Sequence, residues 1–404
     1  MSMSTIFRTF LCPSLAALAA ATTANAQYFE ARNSGMGGVG AASSSYLAAG
    51  WANPALLTSS ESSDTFGMIL PAFGARTNDE SGLITDLEDF VDSFAAVQSN
   101  PAPTVADFTG LANQLQALSG RRANNDIGGG FVLALPSEDF AWSLHARTFA
   151  DVQFFATIDG ADVTSIQNLN PGDPLALANS EARVVGISVS EIGVSFAKRF
   201  DLAGFAMSLG VTPKYQRVDT INYAVSAENF DVDDFDEDPY VNDAGEFNLD
   251  AGIAIEPGVP GLTVGLMARN LRELEFETVT TAGQSLVYEL SPQATLGVAW
   301  QLGALTLAAD ADLLTLERFR DTNVVAAGQA AVDDVQLIKF GAEVDVLGWL
   351  QLRGGYEYDV EDTLDGAISA GLGLSPFDVL HIDVAGTYVD DESYGGVVQL
   401  SLTF

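Results

Sequence analysis

Cysteine is almost absent from this sequence. The one cysteine, Cys12, sits in an apolar run from Phe10 to Ala21 that follows Arg8 and precedes Ala24-Asn25-Ala26. Charge, apolar run and A-x-A in that order make residues 1–26 a secretory signal, expected to be cleaved before Gln27. A mature chain without cysteine has no disulfide, no thiolate metal ligand and no dithiol redox centre. Basic residues are scarce too: 17 Lys+Arg stand against 54 Asp+Glu, a net charge of −37, and only Lys198, Lys214 and Lys339 are lysines. With so much negative charge and no basic patch, nucleic acid is excluded as a partner. The two histidines, His145 and His381, fall in no H-E-x-x-H, and no G-x-S-x-G is present. The chain therefore reads as a non-enzyme without a cofactor. Gly35-Met36-Gly37-Gly38-Val39-Gly40 follows no strand pattern in an exported chain, so it is not a nucleotide loop. Finally, no apolar stretch after the signal reaches the ~18–20 residues a membrane helix needs.

What is present is apolar: 48% of the residues are hydrophobic and 18% charged. An exported, apolar chain without membrane helices satisfies its backbone in lipid by closing a β-barrel, whose mark is alternation over ~10-residue segments. Leu380, Ile382, Val384, Gly386 and Tyr388 share one parity, and His381, Asp383, Ala385 and Thr387 the other. Ile338, Phe340, Ala342 and Val344 likewise oppose Lys339, Gly341, Glu343 and Asp345, and Leu352, Gly354 and Tyr356 oppose Arg353, Gly355 and Glu357. Charge keeps to one parity. A soluble sandwich alternates in the same way, and the chain end decides between them. Tyr394, Gly396, Val398, Leu400, Leu402 and Phe404 alternate up to a final aromatic, which resembles the terminal strand that the barrel-insertion machinery reads in bacterial outer-membrane proteins.

The expected fold class is thus all-β, a transmembrane antiparallel β-barrel of about 14 strands. Strands are placed at 64–75, 126–135, 139–157, 184–200, 203–218, 246–256, 261–270, 287–301, 304–316, 335–346, 349–359, 366–375, 379–390 and 394–404. Every second link is short, such as Leu302-Gly303 and Leu347-Gly348, as an even barrel with both termini in the periplasm requires. The expected lumen lining is Lys339, Glu343, Asp345, Arg353, Glu357, His381 and Asp383. His381 and Asp383 share a parity that an acid–base pair would need, but no nucleophile stands beside them.

Three segments depart from plain strand. Residues 77–124 carry helical spacings, Leu83, Leu87, Phe90 and Phe94, then Phe108, Leu111 and Leu115, with Thr104 and Asp107 as a capping box. By parity this helical insertion lies in the first outer loop, as a lid on the barrel mouth or as an apolar face that gathers ligand. The acidic run with Asp231, Asp233, Asp234, Asp236, Glu237 and Asp238 reads either as a solvated loop or as a cation loop of hard oxygen ligands. In 184–200 the apolar phase slips from Val185, Ile187 and Val189 to Ile192, Val194 and Phe196, which predicts a bulge or wall kink at Ser190-Glu191.

Gly35, Met36, Gly37 and Gly38, followed by Asn53, Pro54 and Ala55, resemble the N-terminal hatch of FadL-type outer-membrane transporters. The Asn-Pro-Ala-Leu-Leu element and Phe66 to Gly74 are most similar to the branch known as conjugal transfer protein TraF. The resemblance implies a hatch over 27–62 inside a barrel over 63–404, in the outer membrane of a Gram-negative bacterium. It also implies passive uptake of hydrophobic small molecules. The alternative it carries is a structural or assembly component of a conjugal-transfer or surface apparatus; without cysteine, any role in transfer is not dithiol chemistry. Lipid and lipopolysaccharide, the insertion machinery and a hydrophobic ligand are the expected partners of a monomer.

Overall fold

The computed structural model describes residues 29–59, 64–79, 82–137, 139–202, 204–317, 319–321, 334–377, 379–391 and 393–404. The signal segment 1–26 lies outside the described residues. The strands, in chain order, are β1 (Gly67–Asn78), β2 (Arg122–Leu135), β3 (Ala141–Thr157), β4 (Glu181–Leu202), β5 (Phe205–Ser226), β6 (Val241–Glu256), β7 (Leu262–Arg269), β8 (Leu274–Glu277) and β9 (Leu286–Leu290). They continue with β10 (Gln293–Leu302), β11 (Leu305–Asp312), β12 (Phe319–Asp321), β13 (Leu337–Asp345), β14 (Leu350–Asp359), β15 (Ala367–Leu374), β16 (Leu380–Tyr388) and β17 (Ser393–Thr403). Fourteen of them close an antiparallel barrel, sealed where β1 pairs with β17. The other three, β8, β9 and β12, form a separate sheet.

Alternation places the two faces. Leu209, Phe247, Leu296, Phe340, Leu352, Ile368 and Val398 are exposed on the outer wall, while Lys214, Asp250, Asp310, Lys339, Glu357 and Asp383, on the opposite parity, are buried in the lumen. Lipid solvates the first set, and the enclosed polar interior takes the second. Gly303 makes the two-residue link from β10 to β11 at φ 65°, a conformation only glycine adopts without penalty.

The barrel is taller on one side. Strands β3 to β5 run 17 to 22 residues, whereas β7, β10, β11 and β13 run 8 to 10. This asymmetry explains the phase slip at Ser190-Glu191. No bulge is there: β3 and β4 keep one register from Ala141↔Ala197 to Thr157↔Glu181. Low on β4 the outward residues Ile192 and Phe196 face lipid, so only that face needs to be apolar. High on β4 both faces are covered, and Val185, Ile187 and Val189 point inward. The register shift that does occur lies at Leu70-Pro71 in β1, where proline has no N–H to give to the ladder.

The span 287–301, expected as one strand, is split at Ser291-Pro292. Leu286–Leu290 leaves the wall for the small sheet, which hydrogen-bonds the inner side of the tall wall through Thr220 and Asn222. The helical insertion, α2 (Leu83–Ser99) and α3 (Val105–Ala117), is not a lid on the mouth. Its apolar face is already occupied, packed on Ala150, Val152, Phe154 and Val184. Those residues share the parity of Trp142, which is exposed low on the outer wall, so the helices lie against the outside of the tall strands. The acidic run joins the same cluster through Phe230 and Phe235, with Phe235 edge-on to Phe154 at 5.9 Å.

A third helix in this layer, α4 (Gly160–Gln167), is clipped by Asp162. Burial opposes ionisation of this carboxylate, but the N–H groups of Ala178, Asn179 and Ser180, at 3.0, 2.9 and 2.7 Å, hold it below the usual range. A depressed carboxyl contributes stability above its unfolded value and loses it as pH falls through the folded one. The clip should therefore persist down to about pH 4 and open below it. Hydrogen exchange at residues 178–180, referenced to intrinsic rates at each pH, should show protection lost only in that acid range, and lost at pH 7 in Asp162→Asn. Unchanged protection in the variant would remove the clip from the account.

Candidate functional site

Residues 29–59 thread the lumen, first as α1 (Ala31–Gly35) and later as the 3₁₀ turn Pro54–Thr58. Backbone meets backbone because the wall presents glycine where the chain passes. A Cβ on Gly371 would lie 3.0 Å from Gly35, one on Gly341 would lie 2.8 Å from Met36 Cβ, and one on Gly297 would lie 2.8 Å from Ala41 Cβ. Gly37 has φ 72°, and a Cβ on it would meet Phe340 O at 2.7 Å and Tyr356 N at 2.9 Å. Met36 is buried with Val39 against Ala299 and Ala308, and Gly38 lies over Lys339 and Glu357. Asn53 caps the 3₁₀ turn through Ala55 N–H and donates to Ala41 O at 2.7 Å and Ile253 O at 3.1 Å. Pro54 starts that turn, and Ala55 is fully buried. Together the motif residues let the threaded segment turn and touch the wall.

Charge holds the first half. Arg32 grips Glu343 with Nε at 2.9 Å and Nη2 at 2.8 Å, and gives Nη1 to Ser43 O at 2.5 Å. Arg353 donates to Glu343 at 2.6 Å and to Asp383 at 2.6 Å, so a four-membered chain of alternating charge ties α1 to β13, β14 and β16. Asp310 accepts the N–H groups of Gly40 and Ala41 at 2.7 and 2.9 Å, and Ser369 accepts Gly37 N–H at 2.7 Å. The second half is held by Arg269, which donates to Trp51 O, and by Thr58, which meets Ser208 at 2.6 Å.

A second cluster lies within the wall of β3 to β6. Glu191, expected at a kink, is its hub, with Arg147 at 2.6 Å, Gln216 at 3.0 Å, Lys214 at 3.4 Å and His145 at 3.7 Å. Lys214 also pairs with Asp250 at 2.9 Å. Ser190 points the other way and meets Thr148 at 2.9 Å. Arg32, Asp310, His145, Arg147 and Lys214 were not read as site residues in the sequence, because their partners lie far away along the chain. Directly above this cluster the inward positions turn apolar: Phe149 follows Arg147, Val189 precedes Glu191, and Val218 follows Gln216, each two residues up the wall. With Val185 and Ile187 they form an apolar cup under Leu274, Phe276 and Tyr288 of the small sheet.

Two residues expected in the lumen serve its lower rim instead. Asp345 accepts the N–H of Gly348 at 2.6 Å in a turn, and His381 bonds Ser375 at 2.7 Å and Thr403 at 2.9 Å. His381 and Asp383 therefore form no acid–base pair, since Asp383 belongs to Arg353. No group of three or more His, Cys, Asp or Glu is arranged for a metal ion among the described residues. In the acidic run, Asp231 instead accepts the N–H of Asp233 at 2.9 Å. Partial burial, then the charges of Asp231 and Asp233, push Glu88 upward, so that face repels further negative charge. The cavity between hatch and wall beside Asn33, Arg269, Asp310 and Lys339 measures about 30 Å³, room for a water or two.

Residues 50–312 match the family described as "F plasmid transfer operon, TraF, protein". Among solved structures, the fold is similar to the toluene transporter TbuX of Ralstonia pickettii, with TM-score 0.52 and 13% identity over 94% of this chain and 99% of that one. A FadL homologue of Pseudomonas aeruginosa gives TM-score 0.52 and 13% identity over 96% and 99%. A ΔS2S3 mutant of the monoaromatic hydrocarbon channel TodX gives TM-score 0.54 and 12% identity over 92% and 98%. No curated protein matches the chain in sequence.

Proposed function

Because the chain belongs to the TraF family, a branch of the FadL-type outer-membrane barrels, we propose that it admits hydrophobic small molecules passively across the outer membrane of a Gram-negative bacterium. The observation that carries this reading is the apolar cup. A barrel lumen is polar by default, yet Phe149, Val185, Ile187, Val189 and Val218 face inward together at the outer end of the tall wall, immediately above the hatch. A solute that displaces the small sheet from this lining reaches the periplasm once the hatch shifts. The exposed apolar band of the wall meets lipid and the base of lipopolysaccharide, as a monomer. Phe404, stacked on Phe66 at 6.1 Å, is the residue offered to the insertion machinery.

One observation favours the other reading. The cavity beside the hatch is water-sized and the family is described by a transfer operon, which suits a closed barrel serving as an assembly part. Native mass spectrometry with lipid extraction on detergent-purified protein separates the two. Uptake predicts a retained apolar molecule, and at least roughly tenfold weaker binding of an alkane or aromatic probe in Ile187→Asp, since a charge in the cup is costly. No retained molecule and no probe binding, with the barrel intact, would transfer the weight to the assembly reading.

A further inference from the structure

The short turns at the lower rim carry what turns in water avoid. Leu202, Leu347 and Phe377 stand in three of them and are 61, 61 and 76% exposed, and Leu302 and Trp349 are exposed in the same ring. A turn that projects into water favours Gly, Asn, Asp and Ser. In a chain with 54 Asp+Glu, the links Leu302-Gly303-Ala304 and Val346-Leu347-Gly348-Trp349 contain no acid at all. The nearest one, Asp345, is turned back to accept the N–H of Gly348 at 2.6 Å. The outer loops on the same strands are the opposite: the one after β14 holds Glu361, Asp362 and Asp365, and the one after β16 holds Asp390 and Asp391.

We infer that these turns are seated in the inner leaflet of the outer membrane, with phospholipid as their partner. Strand length carries the argument. Tyr358 and Tyr388 mark the upper edge of the lipid-facing wall, since their hydroxyls donate to the loop residues Asp362 at 3.3 Å and Asp391 at 2.9 Å. From Tyr388 down to Leu380 at the end of β16, the strand covers about 27 Å along its length and about 21 Å across the membrane at a ~40° tilt. Tyr358 to Leu350 on β14 covers the same span. The apolar band around such a barrel is about 25 Å tall, so its lower edge falls about 4 Å beyond the last ladder residues, level with Leu347, Trp349 and Phe377. The tips therefore continue the outer face of exposed Leu352, Ile368 and Val398. Trp300 and Trp349 fit that depth: an indole favours the membrane–water interface, and Trp300 donates its Nε1–H to Pro260 O at 3.3 Å in the neighbouring turn. The inference rests on the outer-membrane part of the reading above, with the short turns toward the periplasm. It holds whether the barrel conducts or is a closed assembly part.

The test uses single-cysteine variants of the full-length protein, whose one cysteine lies in the signal. Leu347→Cys and Phe377→Cys are labelled with an environment-sensitive maleimide and reconstituted in vesicles of phosphatidylethanolamine and phosphatidylglycerol. Ile368→Cys, on the lipid-facing wall, and Asp365→Cys, exposed in an outer loop, are the references. A phospholipid with a nitroxide near the headgroup end of its acyl chain should quench both turn labels to within about twofold of Ile368→Cys. Iodide on both faces of the vesicles should quench them roughly fivefold less than Asp365→Cys, as burial about 5–10 Å into the headgroup–acyl boundary requires. Leu302→Cys is the further position if either turn variant does not form a heat-modifiable barrel. Turn labels quenched by iodide as Asp365→Cys is, and not by the nitroxide, overturn the inference, because the tips then project into water. Shielding from both quenchers overturns it as well, and means that a second copy of this chain covers the rim. If Ile368→Cys itself escapes the nitroxide, it is the membrane reading that fails, and this inference with it.

Discussion

Planar-bilayer recordings of Glu343→Gln are expected to show ion-conducting openings that the wild type shows rarely. Glu343 is the only carboxylate, among the described residues, that touches both the threaded segment, through Arg32, and the wall, through Arg353. Neutralising it removes the carboxylate that the two guanidinium groups share, leaving Arg353 on Asp383 and Arg32 on Ser43 O. Losing one member of a mostly buried ion network costs about 3 kcal/mol, which corresponds to roughly a hundredfold shift toward a displaced hatch. The cost falls on seating, since the β13–β14 ladder is a backbone structure that does not depend on the side chain. Asp310→Asn should do much less, because an amide oxygen still accepts from Gly40 and Ala41. The double variant Arg32→Ala/Glu343→Ala gives the coupling between the two residues. Indistinguishable conductance in wild type and Glu343→Gln would mean that the network does not hold the hatch.

The barrel was legible in the sequence for a reason that did not extend to the site. Alternation is imposed residue by residue by lipid on one face and a polar lumen on the other, so Lys339, Glu343, Arg353, Glu357 and Asp383 could be assigned inward from local pattern alone. Where a strand rises out of the membrane that rule lapses. Val185, Ile187 and Val189 broke phase because the small sheet covers one face of β4 while the helices cover the other. The pattern recorded a change of surroundings, and it looked the same as a change of register. Leu286–Leu290 was misplaced for a related reason: a strand buried on both faces, here apolar apart from Glu289, carries no alternation to mark which sheet it belongs to. The charge clusters were hidden more deeply. Arg32 and Glu343 are 311 residues apart, and Glu191 meets Arg147 only because β3 and β4 are in register. The inward parity of His145, Arg147 and Glu191 was a usable signal once both strands had been placed. The packing of the acidic run was hidden because its acids outnumber Phe230 and Phe235, although the two rings decide where the loop sits.

Adjacent glycines on β14 offer a controlled test of how the hatch is seated. Gly354 and Gly355 differ only in the face they present. A methyl on Gly354 points outward and meets nothing closer than Ser369 O at 3.9 Å, whereas a methyl on Gly355 would overlap the backbone of Met36 and Gly37. That backbone cannot yield as a side-chain end would, since Gly37 is held at φ 72° and donates its N–H to Ser369. Gly355→Ala should therefore raise the hatch near Met36 at a cost of about 1–3 kcal/mol, and Gly354→Ala should be nearly neutral. The chain's one cysteine lies in the signal, so Ser43→Cys provides a single reporter on the hatch. Its maleimide labelling should accelerate about tenfold or more in the Gly355→Ala background, in keeping with that cost, and stay at the parent rate with Gly354→Ala. Both barrels should keep the same far-UV circular dichroism, because neither change touches a ladder hydrogen bond. Equal labelling in the two backgrounds would show that close backbone contact does not seat the hatch, leaving the Arg32–Glu343 network as its main restraint.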